Sequence, residues 1–222
     1  MMKKCKIRMR LYVSIFIGLL FVGFSQAQND PAAKDILDKV SSTMSAYDNL
    51  SMDFDYVLDN QAEDVQQEMS GDVLLEGNKN VVNLFGTQQI FDGSTTYTII
   101  PENEEVNISG EAIDGDNTFT PSKFYSFYKS GYTYAMDELK SINGKNVQFV
   151  KLTPIDSDSE VSVILVGIDL KSNHIYQIIE IGTNETRTVL TASNIKTNQK
   201  LDQGLFVFDE KKYEDLNYMI NK

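Results

Sequence analysis

A succession of period-two segments joined by very short polar turns limits what this chain can become. Leu50, Met52, Phe54, Tyr56 and Leu58 alternate with Ser51, Asp53 and Asp55, the pattern of a strand with one face toward a core. Similar stretches run from Met69 to Glu76, Val81 to Phe85, Gln88 to Phe91, Ser94 to Ile100 and Glu105 to Ser109. Further stretches follow at Tyr132 to Leu139, Val147 to Thr153, Glu160 to Asp169, His174 to Ile181 and Thr186 to Ile195. Leu205 to Phe208 reads as a last short strand. Asp92-Gly93 and Asn143-Gly144 are hairpin turns, because both central positions of a tight hairpin favour residues that tolerate positive φ. Links this short force neighbours in sequence to pair antiparallel.

Two segments carry the helical period instead. Asp30 and Pro31 supply an N-cap and a proline at the first helical position. Ala33, Ile36, Leu37, Val40, Met44 and Tyr47 then fall on one stripe, and the helix is expected to end near Asp48-Asn49. Thr120-Pro121 repeats the start signal, with Phe124, Phe127 and Tyr128 at i, i+3 and i+4, Tyr125 on the flank and Gly131 at the end. A long antiparallel meander twists and curls rather than staying flat. The two amphipathic helices are the candidates to cover its concave face. The expected fold is therefore mainly β (α+β), in a single domain over residues 28–222.

The first 27 residues read as a secretory signal. Lys3, Lys4, Lys6, Arg8 and Arg10 precede an apolar run from Leu11 to Phe24, and Ser25-Gln26-Ala27 supplies the small residues of a cleavage site. The apolar run is shorter than the roughly 20 residues that span a bilayer. Cleavage is expected after Ala27, leaving 195 of the 222 residues. Loss of five basic residues takes the net charge from −12 to −17, a field that repels nucleic acid and anionic headgroups. Cys5, the only cysteine, lies inside the signal. The mature chain thus has no disulfide, thiol nucleophile or thiolate metal site.

Catalytic patterns are weak. His174 is the sole histidine, at a turn-to-strand junction, and is expected at the surface. Asp156, Asp158 and Glu160 alternate like the start of a calcium loop but lack its glycine and terminal glutamate. No catalytic residue, metal or cofactor is expected, although a secreted carboxylate-dependent hydrolase is not excluded by 32 acidic residues.

Taken in order, several segments resemble the outer-membrane lipoprotein carrier (LolA-like) family over residues 30–215. They are Leu50-Ser51-Met52-Asp53-Phe54 after the first helix and the Gly-x-Leu-like strand Gly71-Asp72-Val73-Leu74-Leu75. Next come the hairpin and strand from Phe91-Asp92-Gly93 to Pro101, then Val150-Lys151-Leu152-Thr153-Pro154, and finally Leu205-Phe206-Val207-Phe208. The resemblance implies an incomplete antiparallel β-barrel of about eleven strands with a helical lid over an apolar cavity. It also implies a non-enzymatic, monomeric periplasmic carrier. Such a carrier takes acylated lipoproteins from an inner-membrane ABC transporter complex to an outer-membrane lipoprotein acceptor. A lipid- or lipoprotein-sensing domain of an envelope stress pathway is the alternative on the same fold. The expected lipid-binding residues are Met52, Phe54, Tyr56, Val73, Leu75, Tyr97, Ile99, Val163 and Leu165 in the wall, with Phe124, Phe127 and Tyr128 in the lid. The family's lid-holding arginine after the Gly-x-Leu strand is absent here; Glu76-Gly77-Asn78-Lys79-Asn80 offers only Lys79 as a cation.

Overall fold

The computed structural model describes residues 29–110 and 126–222. The signal sequence, the helix start at Thr120-Pro121, and Phe124 and Tyr125 lie outside the described residues.

Helix α1 (Pro31–Ser45) begins where the cap chemistry places it, with the Asp30 carboxylate accepting from the Ala32 amide at 2.9 Å and proline at the first turn. Twelve strands follow among the described residues. They are β1 (Asn49–Asn60), β2 (Val65–Glu76), β3 (Lys79–Leu84), β4 (Thr87–Phe91), β5 (Thr95–Ile100), β6 (Glu105–Gly110), β7 (Tyr132–Ile142), β8 (Lys145–Pro154), β9 (Val161–Asp169), β10 (His174–Gly182), β11 (Arg187–Thr197) and β12 (Met219–Asn221). A short helix, α2 (Glu210–Asp215), precedes β12. The strands form one sheet in the order β12-β6-β5-β4-β3-β2-β1-β11-β10-β9-β8-β7. The first eleven pair antiparallel, and β12 joins β6 in parallel. Strands β7 and β12 are the two edges and do not meet, so this is an open, incomplete barrel covered by helix.

The turns behave as their residues dictate. Asn143 and Gly144 both take positive φ, at 51° and 76°, closing the β7–β8 hairpin in two residues. The β4–β5 link is held by the Asp92 carboxylate, which accepts from the Ser94 and Thr95 amides at 2.8 Å each. Gly71 has a packing role: it lies opposite Phe54, and a Cβ there would stand 2.6 Å from the Phe54 ring and 2.4 Å from the Asn83 carbonyl oxygen.

Two expectations need correction. Residues 205–208 are not a strand; Leu205 and Val207 donate to the carbonyls of Asp202 and Gly204 in consecutive turns. Phe206 and Phe208 alternate because both rings reach the sheet, not because a neighbouring strand pairs with them. The last strand is instead Met219–Asn221. The expected second helix is seen, within the described residues, only as a single 3-10 turn at Phe127–Lys129.

Candidate functional site

The sheet has an inner face, under α1, and an outer face. Residues opposite one another in a ladder share a face, so the register assigns them. Met52, Val73, Val82, Gln89 and Thr98 form one inner row. Phe54, Ala192, Tyr56, Leu190, Ile178, Val166, Val150 and Met136 carry that face across the other half. The stripe Ala33, Leu37, Val40 and Met44 of α1 packs onto it, in one core with Leu50, Met52, Phe54, Val73, Leu75, Val150, Leu152, Ile164, Val166 and Ile168. Around this packed centre half-buried Val82, Leu84, Met136, Ile178 and Leu190 pack against it, and half-buried Tyr56 continues the face opposite Leu190.

Of the sequence-predicted residues, Met52, Phe54, Tyr56, Val73 and Leu75 lie on this inner face, and Phe127 and Tyr128 pack beside α1. Tyr97 and Ile99 do not. They share the outer face with Leu74, Val81, Ile90 and Val106, beneath the C-terminal segment. Their alternation marks a buried side of β5, but the aromatic C-terminal strap does the burying. Val163 and Leu165 are also outward: in β9 the inner residues are Ile164, Val166 and Ile168. That strand is apolar on both faces, so its alternation alone did not say which set faces the helix.

Helix α1 is held at three places. At its start, Asp30 donates its amide to the Tyr134 carbonyl at 3.0 Å and accepts from the Met136 amide at 3.2 Å, while the Asn29 side chain accepts from the Tyr134 amide. These bonds occupy part of the free edge of β7. In its middle, the Tyr128 hydroxyl donates to Asp38 at 3.0 Å. Burial first, and then the Asp38 carboxylate, push the Tyr128 phenol up to about 12. Asp38 itself is held below the usual carboxylate range, first by its hydrogen bond from Lys34 and then by Tyr128. Just past its C-terminal end, the Tyr47 hydroxyl meets Nε2 of His174 at 2.8 Å, with the rings edge-to-face.

His174 is therefore not a free surface residue but a half-buried partner of the helix end. No sequence signal pairs it with Tyr47, 127 residues away. Lys79, by contrast, does not reach the helix. Its ammonium lies 5.9 Å from the centre of the Phe206 ring, on the outer face. The cover is held here by the Asp30 and Asn29 bonds to β7 and by two phenols, and Lys79 takes no part.

The His174 contact has a pH consequence. Burial lowers its pKa below the ordinary value near 6.5, outweighing the opposing pull of Asp169. Folding thus disfavours the imidazolium, so this contribution is present above pH about 6.5 and is lost as pH falls through the lower folded value. The wild type is expected to lose more thermal stability between pH 7 and pH 5 than His174→Gln; parallel losses in the two melting series would refute it.

One opening adjoins the helix end, and a second lies beyond it on the far side of His174. The first, of about 110 Å³, is lined by Met44, Tyr47, Leu50 and Leu75. A larger one, about 470 Å³, lies around His174, Lys145, Asp169 and Thr191. In the latter, Asp169 is fixed by Lys145 at 2.9 Å and by the Lys171 amide at 2.9 Å, the arrangement of a loop brace. Asp156 caps the Asp158 amide in an exposed loop. Among the described residues, no three His, Cys, Asp or Glu side chains come together in a metal-holding group, and no helix is long and apolar enough to cross a membrane.

No family model matches the sequence, and no curated protein does so. Solved structures do match. A conserved protein from Thermus thermophilus overlays with a TM-score of 0.53 at 8% identity, over 85% of this chain and 98% of that one. Lipoprotein LppX of Mycobacterium tuberculosis gives 0.47 at 15% identity, over 78% and 99%. A LolA superfamily protein from Nitrosomonas europaea gives 0.40 at 13% identity, over 80% and 98%. The chain is an incomplete, helix-covered antiparallel β-barrel, and its likeness to the Thermus thermophilus protein is one of fold.

Proposed function

We propose that this protein is an exported, non-enzymatic carrier that binds the acyl chains of lipoproteins against its inner face. The observation that carries the reading is an apolar concave sheet face on which, among the described residues, one amphipathic helix packs with half-buried apolar side chains around it. Magnitudes favour exchange of the cover for lipid. Burying Leu37, Val40 and Met44 contributes about 5–9 kcal/mol at roughly 1.5–3 kcal/mol each. One acyl chain of about 16 carbons contributes about 12 kcal/mol at roughly 0.8 kcal/mol per CH₂. A lipid anchor can therefore displace α1 from the face, and α1 can reclose when the lipid leaves. Such a surface asks for no fixed hydrogen-bond pattern, which lets many lipoproteins share it.

In this reading the chain is cleaved after Ala27 and works in the periplasm, between an inner-membrane ABC transporter and an outer-membrane acceptor. The lipid-binding wall is Met52, Phe54, Tyr56, Val73 and Leu75, joined by Val82, Leu84, Ile178 and Leu190, with Phe127 and Tyr128 at the lid. The test is to incubate purified residues 28–222 with spheroplasts of the parent cell and to assay lipoproteins released into the supernatant in complex with it. Stoichiometric release, cut at least tenfold by Phe127→Asp, is expected. A folded protein that releases none beside a working transporter would sink the carrier reading.

A further inference from the structure

The C-terminal segment crosses the outer face of β2–β6 as an aromatic strap. It is anchored by Phe208, stacked between Tyr97 and Tyr213 at centroid distances of 4.5 and 5.2 Å. Phe206, only 2% exposed, plugs the same cluster. Between strap and sheet lies a half-open groove of about 360 Å³. Its floor is Leu74, Val81 and Ile90, and its lip is Leu205 and Val207. The lip residues are 43% and 64% exposed, so the groove continues into an apolar surface that the described residues leave uncovered.

The charge beside it selects the occupant. The floor runs out into Asp72, which accepts from the Asn83 amide group at 2.8 Å. Asp53 stands directly opposite Asp72 in the β1–β2 ladder, and both are exposed. Like charges facing across a ladder are destabilising. Among the described residues neither is in an ion pair; Asp53 is met by the Asn194 amide group at 2.7 Å. Among the described residues that line the groove the one cation is Lys212, on the strap side, 5.0 Å from the centre of the Tyr213 ring. An anionic lipid head would be repelled at the Asp53–Asp72 end, whereas a Lys or Arg would relieve the repulsion there.

We propose that this groove docks a segment of a partner protein that places an apolar side chain over Leu74, Val81 and Ile90 and a neighbouring Lys or Arg at Asp53 and Asp72. The site is separate from the inner face, so the protein can hold cargo inside and a partner outside.

The test uses fluorescein-labelled Gly-Lys-Leu-Lys-Leu-Gly peptide and its Glu-for-Lys counterpart, titrated against the mature protein by fluorescence anisotropy. Expected is binding of the Lys peptide only, weakened roughly five- to tenfold by the pair Asp53→Asn and Asp72→Asn. Val207→Ser is expected to weaken it several-fold as well. The pair Asp156→Asn and Asp158→Asn, which removes the same charge from the β8–β9 loop, is expected to leave it unchanged. Melting curves establish that each variant is folded; the Asp53/Asp72 variant loses a repulsion and is expected to melt no lower than wild type. Equal weakening by the two Asp pairs would show that only the overall negative field attracts the peptide and would overturn the proposal. So would tight binding of the Glu peptide, or no binding of the Lys peptide.

Discussion

Val166→Asp is expected to abolish folding at 37 °C, while Val163→Asp, three residues away on the same strand, is expected to cost only about 1 kcal/mol. Val166 is 0% exposed and lies in the core shared with α1. A carboxylate there must either be desolvated without a partner or take up a proton, and the helix stripe must part to admit it. Val163 is half-buried on the outer face, where an added carboxylate can turn to water. Urea unfolding of both variants, followed by circular dichroism, decides the matter. A larger loss from Val163→Asp than from Val166→Asp would show that the inner and outer faces of β9 are exchanged, and with them the lipid wall; equal losses would refute the difference in burial between the two faces.

Phe54→Ala is expected to lower stability by about 3–5 kcal/mol, the range for deleting a large buried ring. The ring is 5% exposed and lies over Gly71, whose missing Cβ makes the space for it. Gly71→Ala should therefore also be costly by itself, about 1–3 kcal/mol from overpacking. The strain has two sources: the ring at 2.6 Å and the Asn83 carbonyl at 2.4 Å. Removing the ring relieves only the first. The double variant should be more stable than the sum of the two losses predicts, by roughly 0.5–2 kcal/mol, because the two sites touch. Strict additivity in a double-mutant cycle would refute the contact.

Much of the fold follows from local chemistry. The cap at Asp30-Pro31, the stripe from Ala33 to Met44 and the Asn143-Gly144 turn involve only neighbouring residues, and each stands where its pattern requires. Eleven period-two segments with short links already imply an antiparallel meander. Even so, residues 65–68 of β2 were not readable as strand, because Val65, Gln66, Gln67 and Glu68 are all exposed. The ladder with β1 extends there without any alternating burial to announce it.

What the sequence could not determine was which buried side faces what. Alternation establishes that Tyr97 and Ile99 share a side, and that Val163 and Leu165 share one. A strand covered on both faces gives the same pattern whichever cover is the lid. Only the tertiary structure put the strap over Tyr97 and Ile99 and turned Ile164, Val166 and Ile168 toward α1. Contacts between distant positions were equally hidden: Tyr128 with Asp38 is 90 residues apart and Tyr47 with His174 is 127. Short-range periodicity determines the elements because its energetics are local. The choice of face and the points that hold the helix depend on where the chain returns to itself, and that is decided only when the whole sheet has formed.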